Sequence, residues 1–115
     1  MIRNLTRNSV VASSVEIAQT SSARMKGLLG RNEFPKGSAL IITRCQSIHM
    51  FFMKFPIDVI FCDRQNRVVG LCANIKPFRL SPVFFKASYA IELPPGAIAS
   101  SKTQLGDMIK LSSFR

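Results

Sequence analysis

The stretch "IDVIFCDRQNRVVGLCA", residues 57–73, decides the fold. Two runs rich in Val, Ile, Phe, Leu and Cys flank a short polar segment, the composition of two β-strands joined by a tight turn. The spacing predicts strands over 57–62 and 67–73, with the turn centred on Gln65-Asn66. Successive strand residues face opposite sides, and here apolar residues occupy both sides of each strand. A sheet covered on both faces, or a strand inside a small barrel, accounts for that. In the expected register Cys62 stands opposite Val69, and Cys72 opposite Val59. The two thiols then lie on opposite faces and too far apart for a disulfide, which needs Cα atoms within about 7 Å. Together with Cys45 they form no zinc-like spacing, so the reading is reduced, mostly buried thiols, with no metal site and no cofactor.

Working outward, "SVVASSVEIAQ" (9–19) reads as one strand with Val11, Val15 and Ile17 on a common face. "TSSARMKGLLGR" changes character: Thr20 or Ser21 can cap a short helix near residues 21–30, and Gly30 is placed to end it in a left-handed conformation. "ALIITR" (39–44) and "SYAIEL" (88–93) are further strands, "NIKPFRLSP" is irregular because proline removes ladder donors, and "MIKLSS" ends the chain as a short strand. The expected class is α+β, mainly β: a small, antiparallel, barrel-like sheet of six to seven short strands with one helix, barrel-like because closure removes exposed edges. At 115 residues, 1–115 is a single domain.

Sixteen Lys and Arg stand against six Asp and Glu, a formal net charge of +10. Such a field attracts nucleic acid, anionic lipid or acidic partners. The charge is spread along the chain without any run of adjacent Lys or Arg, which argues against a dedicated basic tail. No apolar signal region opens the sequence and no segment reads as a membrane span, so the expected location is the cytoplasm.

Immediately before the hairpin, "QSIHMFFMKFP" (46–56) concentrates the single histidine, two methionines and three phenylalanines. It could all be core. A continuous apolar run in a strand must bury both faces, however, or leave one apolar side accessible, and Met and Phe side by side are what adaptable binding surfaces use.

Several of these pieces recur together. "KGLLGR", "SIHMFFMKFPIDVIFCD", "KPFR", "AIELPPG" and "LGD", in this order and at this spacing, resemble small bacterial and archaeal proteins grouped as domain-of-unknown-function family 192, also called uncharacterised protein family 0127. The resemblance spans residues 10–112. It implies a compact β-rich fold with one helix, and it implies no reaction. At Phe78 relatives often carry tryptophan, so an indole N–H donor is lost there.

Three functional readings follow. The leading one is a non-enzymatic β-domain that binds a peptide, protein or small ligand at a Met/Phe-rich groove made by His49, Met50, Phe51, Met53, Lys54, Asp58, Phe78 and Arg79. Asp58 sits inside an apolar strand and needs a partner, for which Arg79 and Lys54 are the obvious candidates. The second is an acid–base enzyme of hydrolase or isomerase type using His49 and Asp58, which could meet if the chain doubles back at Pro56. Against it stand the absence of a nucleophile motif and the commoner structural roles of a lone histidine and a buried aspartate. The third is single-stranded nucleic-acid binding through the positive charge, without any RNP-like or helix-turn-helix signature in support.

Overall fold

The computed structural model describes residues 1–20, 23 and 27–112. In chain order the strands are β1 (Ile2–Asn4), β2 (Ser9–Ala12), β3 (Ser14–Ala18), β4 (Ser38–Thr43), β5 (Ile57–Cys62), β6 (Val68–Ile75), β7 (Tyr89–Leu93) and β8 (Ile109–Leu111). A short helix, α1 (Ala97–Ser101), lies between β7 and β8. The hairpin is β5–β6, closed by Asp63, whose Oδ1 accepts the N–H groups of Gln65 and Arg67 at 2.9 Å each. Asn66 takes the left-handed conformation with φ 66°, which asparagine tolerates better than most residues. Cys72 stands opposite Val59 as expected. A β-bulge between Phe61 and Cys62 moves the partner of Cys62 to Val68 instead of Val69. Cys62 is buried and Cys72 half-buried, and burial pushes the Cys62 thiol up to about 12 and that of Cys72 upward as well.

The sheet does not close into a barrel. The strands form two open sheets, β2-β1-β8 and β3-β4-β7-β5-β6, and β3 runs parallel to β4 where an all-antiparallel arrangement was expected. The cause lies in residues 9–19, which are two strands and not one. Ser13 and Ser14 both donate their backbone N–H to the Gly37 carbonyl, at 2.9 and 3.0 Å. There the chain leaves the small sheet for the edge of the large one. A strand that changes sheets stacks the two face to face, so β3 and β6 remain as open edges. Val11, Val15 and Ile17 still share one core, as their spacing required.

The large sheet is apolar on both sides, and every residue of β5 is buried. One face meets the small sheet through Ile41, Ile60, Ile91 and Leu93 against Ile2, Val11 and Ile109. The other carries Leu40, Ile42, Val59 and Phe61 and is covered by Leu28, Ile48, Met50 and Met53. Gly70 in β6 admits Phe84 so closely that a Cβ there would lie 2.5 Å from the ring, which also packs 4.6 Å from the ring of Phe61. Glycine in this strand therefore marks a close approach.

Of the helix expected near 21–30, Thr20 Oγ1 accepts the Ala23 N–H at 3.1 Å, the bond of an N-cap, and the Gly27 N–H donates to the Ala23 carbonyl at 2.9 Å. Gly30 has φ 83°. Residues 21, 22 and 24–26 of that expected helix lie outside the described residues. The helix α1 lies where the sequence gives no element, between the strands expected at 88–93 and at the end of the chain. Among the described residues no helix is long and apolar enough to cross a membrane. The chain ends are joined by a buried polar cluster. Asn4 Nδ2 donates to Thr103 Oγ1 and Asp107 Oδ2, and Arg7 Nε pairs with Asp107 Oδ2 at 3.0 Å. Burial works to raise Asp107, but the bonds from Arg7, Asn4 and the Gln104 N–H together hold it below the ordinary carboxylate range.

Candidate functional site

The Met/Phe run is organised by a partner segment. Residues 46–50 lie antiparallel to 78–84: the Met50 N–H donates to the Arg79 carbonyl, the Phe78 N–H to Met50, the Ser81 N–H to Ile48 and the Phe84 N–H to Gln46, at 2.8 to 3.0 Å. The irregular "KPFRLSP" thus satisfies backbone groups that no regular strand covers. Alternation then sorts the side chains. Ile48, Met50 and Met53 turn inward, Met50 being 1% exposed and Met53 8%, whereas His49, Phe51 and Phe52 face out. The His49 ring stacks on Phe51 with centroids 5.5 Å apart. Phe78 and Arg79 lie exposed on the partner segment, and Phe78 meets Phe52 edge-on. Lys54 is exposed and donates to Asn32 Oδ1 at 2.9 Å.

Between this segment and the loop at residues 27–29 is a cleft of about 100 Å³, whose lining includes Leu28, Cys45, His49, Met50, Met53 and Glu92. Glu92 is the residue that sequence reasoning missed. It sits on the central strand β7, paired with Leu40 on one side and Val59 on the other, and is 6% exposed. Among the described residues its carboxyl accepts no hydrogen bond. Burial raises its pKa to about 7, with the Arg31 charge pulling the other way. A signal was present: "AIELPPG" places a carboxylate in an apolar strand, the pattern that singles out Asp58.

Asp58 lies elsewhere. In β5 it alternates with Val59, so it faces the small sheet and α1 while Glu92 faces the cleft. Its Oδ1 accepts the Asn74 N–H at 2.8 Å, and its Oδ2 accepts the N–H groups of Gly96 and Ile98 at 3.1 and 2.9 Å. The expected ion pair with Arg79 or Lys54 is not formed. Backbone donors at the start of α1 and in β6 take its place, because the helix leaves its first N–H groups unpaired. His49 and Asp58 are therefore not brought together, since the large sheet separates them. Two further clefts, of about 340 and 230 Å³, hold the Glu16–Arg31 pair and Lys36 respectively. Among the described residues no group of His, Cys, Asp and Glu side chains is arranged to hold a metal ion.

Fold and site together define a two-sheet β domain with a buried carboxyl under a small cleft. The family model DUF192, described as "Uncharacterized ACR, COG1430", matches residues 3–111. The chain belongs to this family, whose function is uncharacterised. It is 38% identical over 115 residues to the UPF0127 protein PH1112 of Pyrococcus horikoshii, covering 96% of this chain and 97% of that one. It is 37% identical over 113 residues to a UPF0127 protein of Thermococcus sibiricus, covering 95% and 73%. The crystal structure of a protein of unknown function from Novosphingobium aromaticivorans superposes with a TM-score of 0.77 at 26% identity, covering 84% of this chain and 74% of that one. A Sinorhizobium meliloti protein put forward as a transcription regulator shares the fold at 21% identity and a TM-score of 0.75, over 84% and 79%.

Proposed function

We infer that the chain is a small-ligand-binding domain whose cleft takes the ammonium end of a small amine. The observation that carries this reading is Glu92: a carboxyl buried in the middle of an apolar sheet face, on the wall of a cleft, with no donor from the described residues. A buried polar group left unpaired costs about 1–3 kcal/mol, and a charged one more. An ammonium group supplies both the missing donors and the opposite charge. The cleft, at about 100 Å³, is the smallest of the three described, which suits a head group better than a large ligand. Apolar walls from Leu28, Ile42, Met50 and Met53 exclude water and strengthen that one polar contact. In this reading the groove expected from the sequence is a cleft lined by His49, Met50 and Met53, with Glu92 in the role expected of Asp58.

The test is a titration of isotope-labelled protein with 1,4-diaminobutane, followed through backbone amide shifts, with 1-butanol as the neutral control. The expected shifts cluster at Gly27, Ile48, Met50 and Met53, are absent with butanol and are lost in Glu92→Gln. Affinity for the diamine should rise with pH through about 7, because the ligand favours the ionised carboxyl. The Arg31 charge acts on Glu92 and opposes a cation, His49 and Cys45 line the same cleft, and β4 and β5 set Leu40 and Val59 beside it. Equal binding by Glu92→Gln and wild type would end the reading.

One observation favours a second reading. A carboxyl raised to about 7 and a histidine line the same cleft, the combination used in proton transfer near neutral pH. An acid–base activity would then run through His49 and Glu92, and any turnover that survives both His49→Gln and Glu92→Gln is not made at this cleft.

A further inference from the structure

The paired segments 46–53 and 78–85 also build an outer surface that the cleft does not use. Phe51, Phe52, Phe78, Leu80, Val83 and Phe85 are each 41–82% exposed, Phe85 the most. None of them lines any of the three clefts described above. Isolated exposed apolar residues are ordinary, but here six stand on two hydrogen-bonded segments, and Phe52 and Phe78 touch across them.

The backbone beneath them is strained in the same place. Phe52 and Phe78 have φ of 64° and 65°, a left-handed conformation that bulky residues avoid at a cost of about 1–2 kcal/mol each. Their side chains, 76% and 64% exposed, meet each other edge-on and recover little from burial inside the molecule. The strain holds two aromatic rings outward.

The charge carried by the two segments and their neighbours along the chain has one sign. Residues 44–57 and 64–91 contain no Asp or Glu, and Lys54, Lys76, Arg79 and Lys86 all lie exposed within or beside the two segments. The ion pairs among the described residues, Arg7–Asp107 and Arg31–Glu16, involve none of these four cations.

We propose that this ledge docks on the surface of an anionic lipid bilayer, with the phenylalanines entering the head-group region and the lysines and Arg79 meeting lipid phosphates. Protruding apolar side chains on segments whose own charges are all cationic match the physics of interfacial binding: buried apolar area plus attraction to anionic lipid. A fluid interface also needs no fitted pocket for each side chain, and the ledge has none among those clefts. Single-stranded nucleic acid suits the ledge less well. Leu80 and Val83 offer no stacking face, and Phe52 and Phe78 meet at 69°, edge to face, not as parallel platforms for successive bases.

The experiment is sedimentation of the full chain with vesicles of phosphatidylcholine containing 30% phosphatidylglycerol, against pure phosphatidylcholine vesicles and a fluorescent oligo-dT. Binding is expected to the anionic vesicles, weakened by salt. Phe52→Ser and Phe85→Ser should each lower it about tenfold. Lys76→Gln and Lys86→Gln should each lower it about fivefold. These side chains are exposed, so the variants fold as wild type does, and an unchanged melting curve checks that. Equal affinity for both vesicle types, no binding to either, wild-type binding by the phenylalanine variants, or tighter binding to oligo-dT than to anionic vesicles would each overturn the proposal. Glu92→Gln should bind vesicles normally, so failure here and failure at the cleft are read separately.

Discussion

Raising the pH from 5 to 8 should destabilise this protein, and Glu92→Gln should remove most of that loss. The unfolded chain ionises Glu92 near 4.5, whereas burial holds it near 7 in the folded state. Between those values the folded state binds the extra proton, so stability is full below about 4.5 and falls as pH rises through 7. At about 1.4 kcal/mol for each unit of pKa, the full loss on the alkaline side is about 3 to 4 kcal/mol, and about 2 to 3 kcal/mol of it falls between pH 5 and 8. Other groups leave the window readable. Asp107 is lowered, so it is ionised throughout. Cys62 is raised, and its effect begins only where thiols of the unfolded chain ionise, above pH 8. The protein has no tryptophan, so urea unfolding is followed by far-ultraviolet circular dichroism at pH 5, 6, 7 and 8. A His49→Gln background removes the single histidine of the chain. The expected result is a wild-type curve that descends with pH and a Glu92→Gln curve that is flat, the variant being the more stable at pH 8. Parallel curves would refute the reasoning, for they would show that Glu92 carries no raised pKa in the fold.

Asp58→Ala should destabilise by about 3 kcal/mol or more, since it strips the acceptor from the Asn74, Gly96 and Ile98 N–H groups at once; a loss below about 1 kcal/mol in urea unfolding would contradict that role. Gly70→Ala should cost about 1–3 kcal/mol, because a Cβ meets the Phe84 ring, and Gly70→Ala combined with Phe84→Ala should recover part of the packing term in a double-mutant cycle. Asp107 contributes stability above about pH 4 that is lost as pH falls through its lowered folded value. Arg7→Gln should therefore move the acid-unfolding midpoint upward and cost about 1 kcal/mol at neutral pH, read by circular dichroism.

The hairpin at 57–73 was legible from residues alone, because alternation and turn chemistry act over a few positions. Asp63 and Asn66 carry out locally what any context would ask of them. The need of Asp58 for partners was legible too, since a carboxyl between Ile57 and Val59 cannot face water in a strand buried on both sides. Its actual partners were not. They come from β6 and from the start of α1, up to 40 positions away, and a helix of five residues gives no periodic signal. The Met/Phe run was seen as significant, yet which residues turn inward depends on register with 78–84, two segments that sequence periodicity does not connect.

What the sequence by itself determined is a family membership, a β-rich class and a set of strands whose two apolar faces demand cover. Strand alternation carries that information within five or six residues. The tertiary structure alone decided that the chain changes sheets at Ser13, so that two open sheets stack instead of one closing. It also decided that Glu92, and not Asp58, faces the cleft beneath His49. The physical reason is the same in both cases. Alternation says that neighbours point to opposite sides, but only the stacking of distant segments determines what lies on each side.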